Sequence, residues 1–412
     1  MMKPSLPSLR AEFPIFTQTI EGHPLVYLDT AATSQKPRVV LSAMQTFYEE
    51  DNANVKRGMH ALAERATEVY EAARSRVRHF LQAQCPHEII FTRNATEGIN
   101  LVARSYGETF LKKGDVVLVS LLEHHSNIVP WLQLKEKIGI EIDWISIDPD
   151  GTLNMDDMNE KLKTRNVRLV ALTCVSNVLG VITPYKEAVN LAHKHGAVCL
   201  LDAAQLAPHS PINVIEMDCD FLVFSGHKVY GPTGIGVLYG KEEHLRRMPP
   251  FLGGGTMIQE VHRTMFTPAD LPEKFEAGTP PIAEARGLHA ALDFIEGIGW
   301  EAIHVHERTL LTLALEKLIA LPFIEVFGPR DPQKIAGCVS YVCSGVHPHD
   351  LTEYMGRKGV CLRAGHHCTQ PLHRFLKAPA TSRLSIGIYN TEEDLTRMVE
   401  VLEEGYHFFT GK

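Results

Sequence analysis

Four stretches of this sequence end an apolar run in residues able to do chemistry. "FLVFSGHKVYGPTGIG" brings Ser225, His227 and Lys228 directly after the apolar residues, and "CLLDAAQ" does the same for Asp202, with Gln205 three residues on. "DVVLVSLLEHHSN" leads to His124, and "IIFTRNATEGINLVA" turns through Asn94, Ala95 and Thr96 into a helical pattern. A lysine amine is a nucleophile toward carbonyl carbon. A helix start offers backbone N–H groups and a favourable dipole to a phosphate. A fifth stretch, "RAGHHCTQPL", opens at Arg363 and sets Cys368 behind two histidines and ahead of a proline. Thiolate is the reactive form of cysteine, so Arg363, His366 and His367 nearby would offer a helpful cationic setting.

Singly, each has an ordinary reading. An aspartate after a buried strand often caps the next helix, and a loop lysine is usually solvated. Thr96 reads as a simple N-cap, His124 as a capping or core histidine, and "GPTGIG" as a Gly-rich turn that does not fit G-x-G-x-x-G. Together they meet the needs of pyridoxal phosphate. That cofactor takes a lysine amine, here Lys228, and an acid beside its pyridinium nitrogen, here Asp202. The helix opening at Thr96, with Ser225 and His227, supplies a phosphate cup, and His124 a cover for the flat ring. A metal reading of Cys361, His366, His367 and Cys368 is poor, because zinc ligands usually come as spaced pairs that allow tetrahedral closure. No metal is expected.

The elements that must position these groups follow from the apolar pattern. Strand-like runs "EIIFT", "DVVLVS", "EIDWISI", "VRLVALT", "AVCLLD", "FLVFS" and "IGVLYG" alternate with helical patterns near 97–112, 127–139, 155–163 and 184–195. Fully apolar strands between helices predict an α/β fold with a mainly parallel sheet covered on both faces. Ligands of such sheets gather beyond the strands' carboxyl ends. Before this unit lie an N-terminal arm ending in "PLVYLD" and helical patterns near 37–51 and 61–84. After it come the Gly/Pro-rich connectors "FLGGGTM" and "TPADLPEKFEAGTPP", and one long helical pattern over 282–320. A smaller α+β unit follows, with strands near 324–327 and 337–343, and Cys368 on an irregular loop. The expected division is an arm over 1–30, a large cofactor-binding domain over 31–285, and a small C-terminal domain over 286–412.

At 412 residues the chain exceeds what one core usually supports. A formal charge of −8 argues against nucleic-acid or anionic-membrane partners. No apolar run is long enough to span a membrane, and the N-terminus lacks a secretory pattern. None of the eight cysteines forms a C-x-x-C pair, so reduced thiols in the cytoplasm are expected. "HKH" at 193–195 reads as solvated surface at a helix end.

The stretches "YLDTAATSQKP", "ATEGINLVA", "EHHSNIVPW", "VSNVLG", "DAAQ", "SGHKVYGPTGIG", "FEAGTP", "RAGHHC" and "SRLSIGIYNT" resemble the class V aminotransferase-like, fold-type I enzymes. Within these, the sequence is similar to the Suf-type (group II) cysteine desulfurases and selenocysteine lyases, over nearly the whole chain. The resemblance implies that Lys228 holds pyridoxal phosphate covalently and moves protons, that His124 stacks on the ring, and that Asp202 pairs with its nitrogen. Gln205 would bond the phenolic oxygen. Thr96, Ser225 and His227 would hold the phosphate beside Ala95, and Thr279 would reach it from the neighbouring subunit of a homodimer. Arg383 would bind the substrate carboxylate, for which a guanidinium fork is suited, with Asn177 and Arg363 close to the substrate. Cys368 would attack the sulfur of L-cysteine, leaving a persulfide on the enzyme and alanine as product. Selenocysteine would serve as well, and a Suf-type acceptor protein, with the cluster scaffold beyond it, would receive the sulfur for iron–sulfur assembly. Three positions depart from the family pattern: Lys56 stands where His is usual, Pro281 where Asn is usual, and Ala95 replaces a common Thr, keeping only its backbone N–H. The alternatives are another class V reaction, such as transamination or an amino-acid lyase step, and a non-catalytic scaffold. A transaminase has no need of a loop thiol, and a scaffold has no need of Lys228, Asp202, His124 and Cys368 together.

Overall fold

The computed structural model describes residues 6–56 and 58–411. Its centre is a seven-stranded sheet of β1 (Ile89–Thr92), β2 (Val116–Ser120), β3 (Glu141–Ile145), β4 (Val167–Thr173), β5 (Val198–Asp202), β6 (Phe221–Ser225) and β7 (Gly236–Gly240), in the order β1-β7-β6-β5-β4-β2-β3. Only β7 runs antiparallel to its neighbours. Side chains of a strand alternate between the two faces, and here both are apolar. Ile90, Val117, Val119, Leu200 and Val223 join one buried cluster with Ile99, Trp131 and Leu134 of the helices that follow β1 and β2. Ile89, Leu118, Leu172, Leu201 and Phe224 join the other, under helices Ala61–Leu81, Tyr185–Lys194 and Ile282–Ile298. The expected parallel sheet with two covered faces is therefore present, and Thr92, Ser120, Thr173, Asp202 and Ser225 all end strands at one edge.

A second, antiparallel sheet comprises β8 (Ile324–Phe327), β9 (Cys338–Cys343), β10 (Arg363–Gly365) and β11 (Thr381–Ser385), in the order β8-β9-β11-β10. Helices Trp300–Ile319, Pro348–Arg357 and Glu392–Thr410 bury Leu315, Leu351, Met398 and Leu402 in a separate core with Val339 and Leu384. The N-terminal segment joins this unit. Val26–Tyr27 pairs in parallel with Val360–Cys361, and Ser385 N donates to Leu28 O at 2.7 Å.

Three expectations need correction. The long helix over 282–320 is two helices, Ile282–Ile298 and Trp300–Ile319, because Gly299 adopts φ +92° and ends the first. The first packs with the large core; the second places Ile303 there and Leu310, Leu311, Ala314, Leu315 and Leu318 in the small one. The connector over 250–281 contains a hairpin, Ile258–Val261 against Phe266–Pro268, whose mostly exposed strands carry no apolar alternation to reveal them. His193 is not solvated surface. It is half-buried and bridges Asp218 (3.2 Å) and Asp220 (2.9 Å). Among the described residues, no helix is long and apolar enough to cross a membrane, and all eight cysteines are free.

One glycine fixes how closely the sheet approaches the functional turn. A Cβ on Gly236, at the start of β7, would lie 2.5 Å from the Asn94 Cα. Gly297, by contrast, sits in a helix with open space beside it. Gly236→Ala is therefore expected to cost about 1–3 kcal/mol, as overpacking does. Gly297→Ala should gain up to about 1 kcal/mol from helix propensity. Thermal unfolding midpoints of the two variants, moving in opposite directions from the parent, check both.

Candidate active site

Where the strands end, the chain encloses a cavity of about 220 Å³. Every expected site residue except Thr279 lines it: Ala95, Thr96, His124, Asn177, Asp202, Gln205, Ser225, His227, Lys228, Arg363, Cys368 and Arg383. Thr279 lies outside, beside two other depressions near Pro280 and Pro281. Lys56 is also elsewhere, paired with Glu273 (2.5 Å) and Glu71 (3.3 Å).

Lys228 sits in the short turn after β6, and its Nζ has no hydrogen-bond partner among the described residues. Burial lowers its pKa to about 8, with Arg383 and Arg363 pushing the same way and Asp202 opposing them. Asp202 ends β5. Its Oδ1 accepts from Ala204 N at 2.9 Å, and burial raises its pKa against the pull of Lys228. Gln205 donates from Nε2 to Ala31 O at 2.8 Å, which leaves Oε1 and a second proton uncommitted. His124 follows β2. Its Nδ1 accepts from Ser126 N at 3.1 Å and lies 2.8 Å from Ser126 Oγ, while burial and the nearby Lys228 lower its pKa to about 3. The ring is thus neutral at physiological pH.

One end of the cavity is built on the turn after β1, where a helix begins. Asn94 caps the helix Ala95–Leu101 by accepting from Glu97 N at 2.9 Å. Ala95 N donates to Ser225 Oγ at 2.9 Å. The amide and hydroxyl of the exposed Thr96 have no partner among the described residues, as first-turn groups can. His227 holds the segment 33–36 instead of facing solvent: its carbonyl accepts from Ser34 N (3.0 Å), Thr33 Oγ1 (3.1 Å) and Lys36 Nζ (3.1 Å).

At the opposite end two arginines lie in register on neighbouring strands, Arg363 of β10 and Arg383 of β11. Arg383 is 2% exposed, donating from NH1 to Asn177 O (2.7 Å) and from NH2 to Asp29 Oδ1 (3.0 Å). Its Nε is buried without a partner. The Arg363 side chain has no hydrogen-bond or ion-pair partner among the described residues. Asn177 faces both ways, because its Nδ2 donates to His367 O at 2.7 Å.

Cys368 occupies the loop after β10 in the left-handed region, with φ +58° following φ +47° at His367. Successive non-glycine residues in that region mark a segment held in place by its surroundings. The expectation that His367 lends the thiol a positive charge fails. His367 is buried, its Nε2 lies 2.9 Å from Thr381 Oγ1, and burial with nearby Arg383 keeps it neutral. The cations that share the cavity with the thiol are Lys228, Arg363 and Arg383.

Two residues of consequence were not singled out by the sequence. Glu123 is fully buried; it accepts from Ser120 Oγ (2.6 Å), Thr173 N (3.0 Å) and Asn127 Nδ2 (2.7 Å), and so ties β2 to β4 directly before His124. Burial pushes its pKa up to about 8. The signal was available: an acid placed between a buried strand and a candidate histidine. Asp29, the carboxylate on Arg383, stood in "YLDTAAT" without its own partner being visible.

The residues fit pyridoxal phosphate. A partly buried amine without a hydrogen-bond partner, a buried carboxylate with one oxygen uncommitted, and the exposed Thr96 donors beside a helix start converge on one cavity. Each supplies what one part of that cofactor requires.

Comparison with known proteins agrees. The class-V aminotransferase family model matches residues 26–398. A probable cysteine desulfurase of Halalkalibacterium halodurans is 48% identical over 397 residues, covering 96% of this chain and 97% of that protein. One from Synechocystis sp. is 46% identical over 415 residues, covering 100% and 99%. Among solved structures, the cysteine desulfurase CsdA (S-sulfonic acid) from Escherichia coli superposes with a TM-score of 0.90 at 38% identity, covering 98% of this chain and 99% of that one. The apo cysteine desulfurase from Thermococcus onnurineus NA1 gives 0.93 at 38% identity, covering 100% and 99%.

The depressed pKa of Lys228 has a direct signature. Only the neutral amine acylates, so trace labelling of the cofactor-free protein with acetic anhydride, mapped by mass spectrometry, should show Lys228 reactivity rising about tenfold per pH unit and levelling off near pH 8. Surface lysines should still be climbing above pH 10, near their ordinary pKa of about 10.4. A Lys228 profile that climbs with theirs overturns the assignment.

Proposed function

Since this chain belongs to the class-V aminotransferase family and, within it, to the cysteine desulfurases, we propose that it takes sulfur from L-cysteine, releasing L-alanine and retaining the sulfur as a persulfide on Cys368. One observation carries this reading: a loop cysteine lines the same cavity as the half-buried Lys228 and two arginines. Exchange of an amino group needs no thiol at that place.

Its cofactor is pyridoxal phosphate, which when bound stabilises negative charge at the amino acid's Cα and thereby loosens the Cβ–S bond. Lys228 anchors it and, with a pKa of about 8, moves protons at neutral pH. Asp202 holds the proton of the ring nitrogen, and the neutral His124 covers the ring. Thr96, Ser225, His227 and the Ala95 turn hold the phosphate, and the spare donor of Gln205 serves the phenolic oxygen. Arg383, already oriented by Asp29 and Asn177, and the unpaired Arg363 take the substrate carboxylate. Cys368 Sγ attacks the substrate sulfur as the thiolate. The new S–S bond forms as the Cβ–S bond breaks, and protonation of the carbon product gives alanine, so cysteine and a protein thiol become alanine and a protein persulfide.

The same residues would accept selenocysteine. Thr279, outside its own chain's cavity, serves the phosphate end of a second copy in a homodimer on this reading. The persulfide passes to a Suf-type acceptor protein for iron–sulfur cluster assembly in the cytoplasm.

The test is alanine release from L-cysteine by the cofactor-loaded protein with a thiol reductant present. Cys368→Ala should fall to background with cysteine while still binding the cofactor; a transaminase would instead keep its activity in that variant. Arg383→Ala should raise KM about 10- to 100-fold, the 1.5–3 kcal/mol of a lost charge-assisted contact.

A further inference from the structure

We propose that His125, the neighbour of the ring-covering His124, is the positioning residue of the nucleophile loop, gripping the backbone on both sides of Thr369 so that Cys368 faces the cavity. The inference rests on the reading of Cys368 as the attacking thiol.

Four observations converge on it. First, His367 and Cys368 are both left-handed, a conformation that residues with side chains leave unless neighbours hold them. Secondly, the backbone N–H of His125 donates to Cys368 O at 2.7 Å, and its side-chain Nε2 accepts from Gln370 N at 3.1 Å. One residue therefore meets the loop twice, through main chain and side chain. Thirdly, Asn177 Nδ2 takes the preceding carbonyl, His367 O, at 2.7 Å. Successive carbonyls of the strained pair are thus fixed by two different segments of the large unit, and Thr369 closes the turn with N–H and Oγ1 bonds to His366 O, each 2.8 Å. Fourthly, His125 is the residue next to His124, so the loop is held by the segment that lines the ring side of the cavity.

The chemistry of the imidazole suits the task. To accept from Gln370 N, Nε2 must be unprotonated. Burial and the facing His366 lower the His125 pKa below its ordinary value, and His124, the other titratable ring nearby at 6.4 Å between centroids, is neutral. The acceptor is therefore in place at neutral pH. His125 touches neither substrate nor cofactor, since it does not line the cavity, and acts through the loop alone.

The experiment compares the cofactor-loaded full chain with His125→Ala, His125→Leu and His125→Gln. Alanine and leucine offer no acceptor, leucine at closer to the original volume, whereas the glutamine Oε1 can receive the Gln370 N–H. In the first two, kcat for alanine release should fall about 10- to 100-fold, as a small misplacement of a reacting group does, with KM for cysteine unchanged. Alkylation of Cys368 by iodoacetamide, mapped by mass spectrometry, should become severalfold faster. Glutamine should recover most of both. Unchanged kcat and unchanged alkylation in the alanine and leucine variants overturn the proposal, as does a KM that rises in step with the loss of kcat, or a glutamine variant that behaves like alanine. If the parent protein releases no alanine, the proposed function fails. The alkylation rates of the four proteins then still decide whether His125 holds the loop.

Discussion

A single buried guanidinium joins the parts of this molecule that have to act together. Arg383 stands on an inner strand of the small sheet, takes its carboxylate partner from the N-terminal segment at Asp29, and donates to the carbonyl of Asn177 on the large unit. Asp29 is partly exposed, but Arg383 is 2% exposed, so removing the carboxylate would leave a buried guanidinium without its counter-charge, which typically costs several kcal/mol (about 3–5 for a fully buried pair). The interaction is therefore a structural requirement as well as a feature of the site. Asn177, in turn, spans from Arg383 to the carbonyl of His367, so the placement of the Cys368 loop is coupled to the placement of the guanidinium.

The electrostatics of the cavity follow from that arrangement. Desolvation is the leading influence on Lys228, His124 and Asp202, and in each case it favours the uncharged form. The arginines reinforce it for the lysine and the histidine. The outcome is a neutral ring at His124 and an amine that is partly free at neutral pH, together with an unpaired cation at Arg363 that suits a carboxylate. Asp29 satisfies one nitrogen of Arg383 and leaves Nε orphaned, so the pair is not saturated before a ligand arrives.

The parts legible in the sequence were those set by local rules. Lys228, Asp202 and Ser225 follow apolar runs, and in a parallel sheet the ends of such runs gather at one edge. What stayed hidden depended on distant partners. Glu123 is explained by Thr173, fifty residues on, and no local pattern encodes that contact. His367 looked like a cationic helper because its neighbours are polar, yet packing against Thr381 buries it. The helix break at Gly299 was invisible because an isolated glycine costs a helix only about 1 kcal/mol and the apolar period runs on across it. Thr279 lies away from its own chain's cavity, and nothing in its local sequence shows that distance.

The bond between Asp29 and Arg383 closes a loop of 354 residues. Non-local contacts of this kind form late, since most of the chain must be ordered before their ends meet. During synthesis the large sheet can be complete while Arg363, Cys368 and Arg383 have yet to emerge, because domains fold from the N-terminus as they appear. Lys228 and Asp202 would then already be assembled, but the Cys368 thiol and the two arginines would not. On the proposed function, reactive sulfur chemistry is in this way confined to the finished polypeptide: the order in which the ribosome delivers the residues withholds the Cys368 thiol until the rest of its surroundings exists.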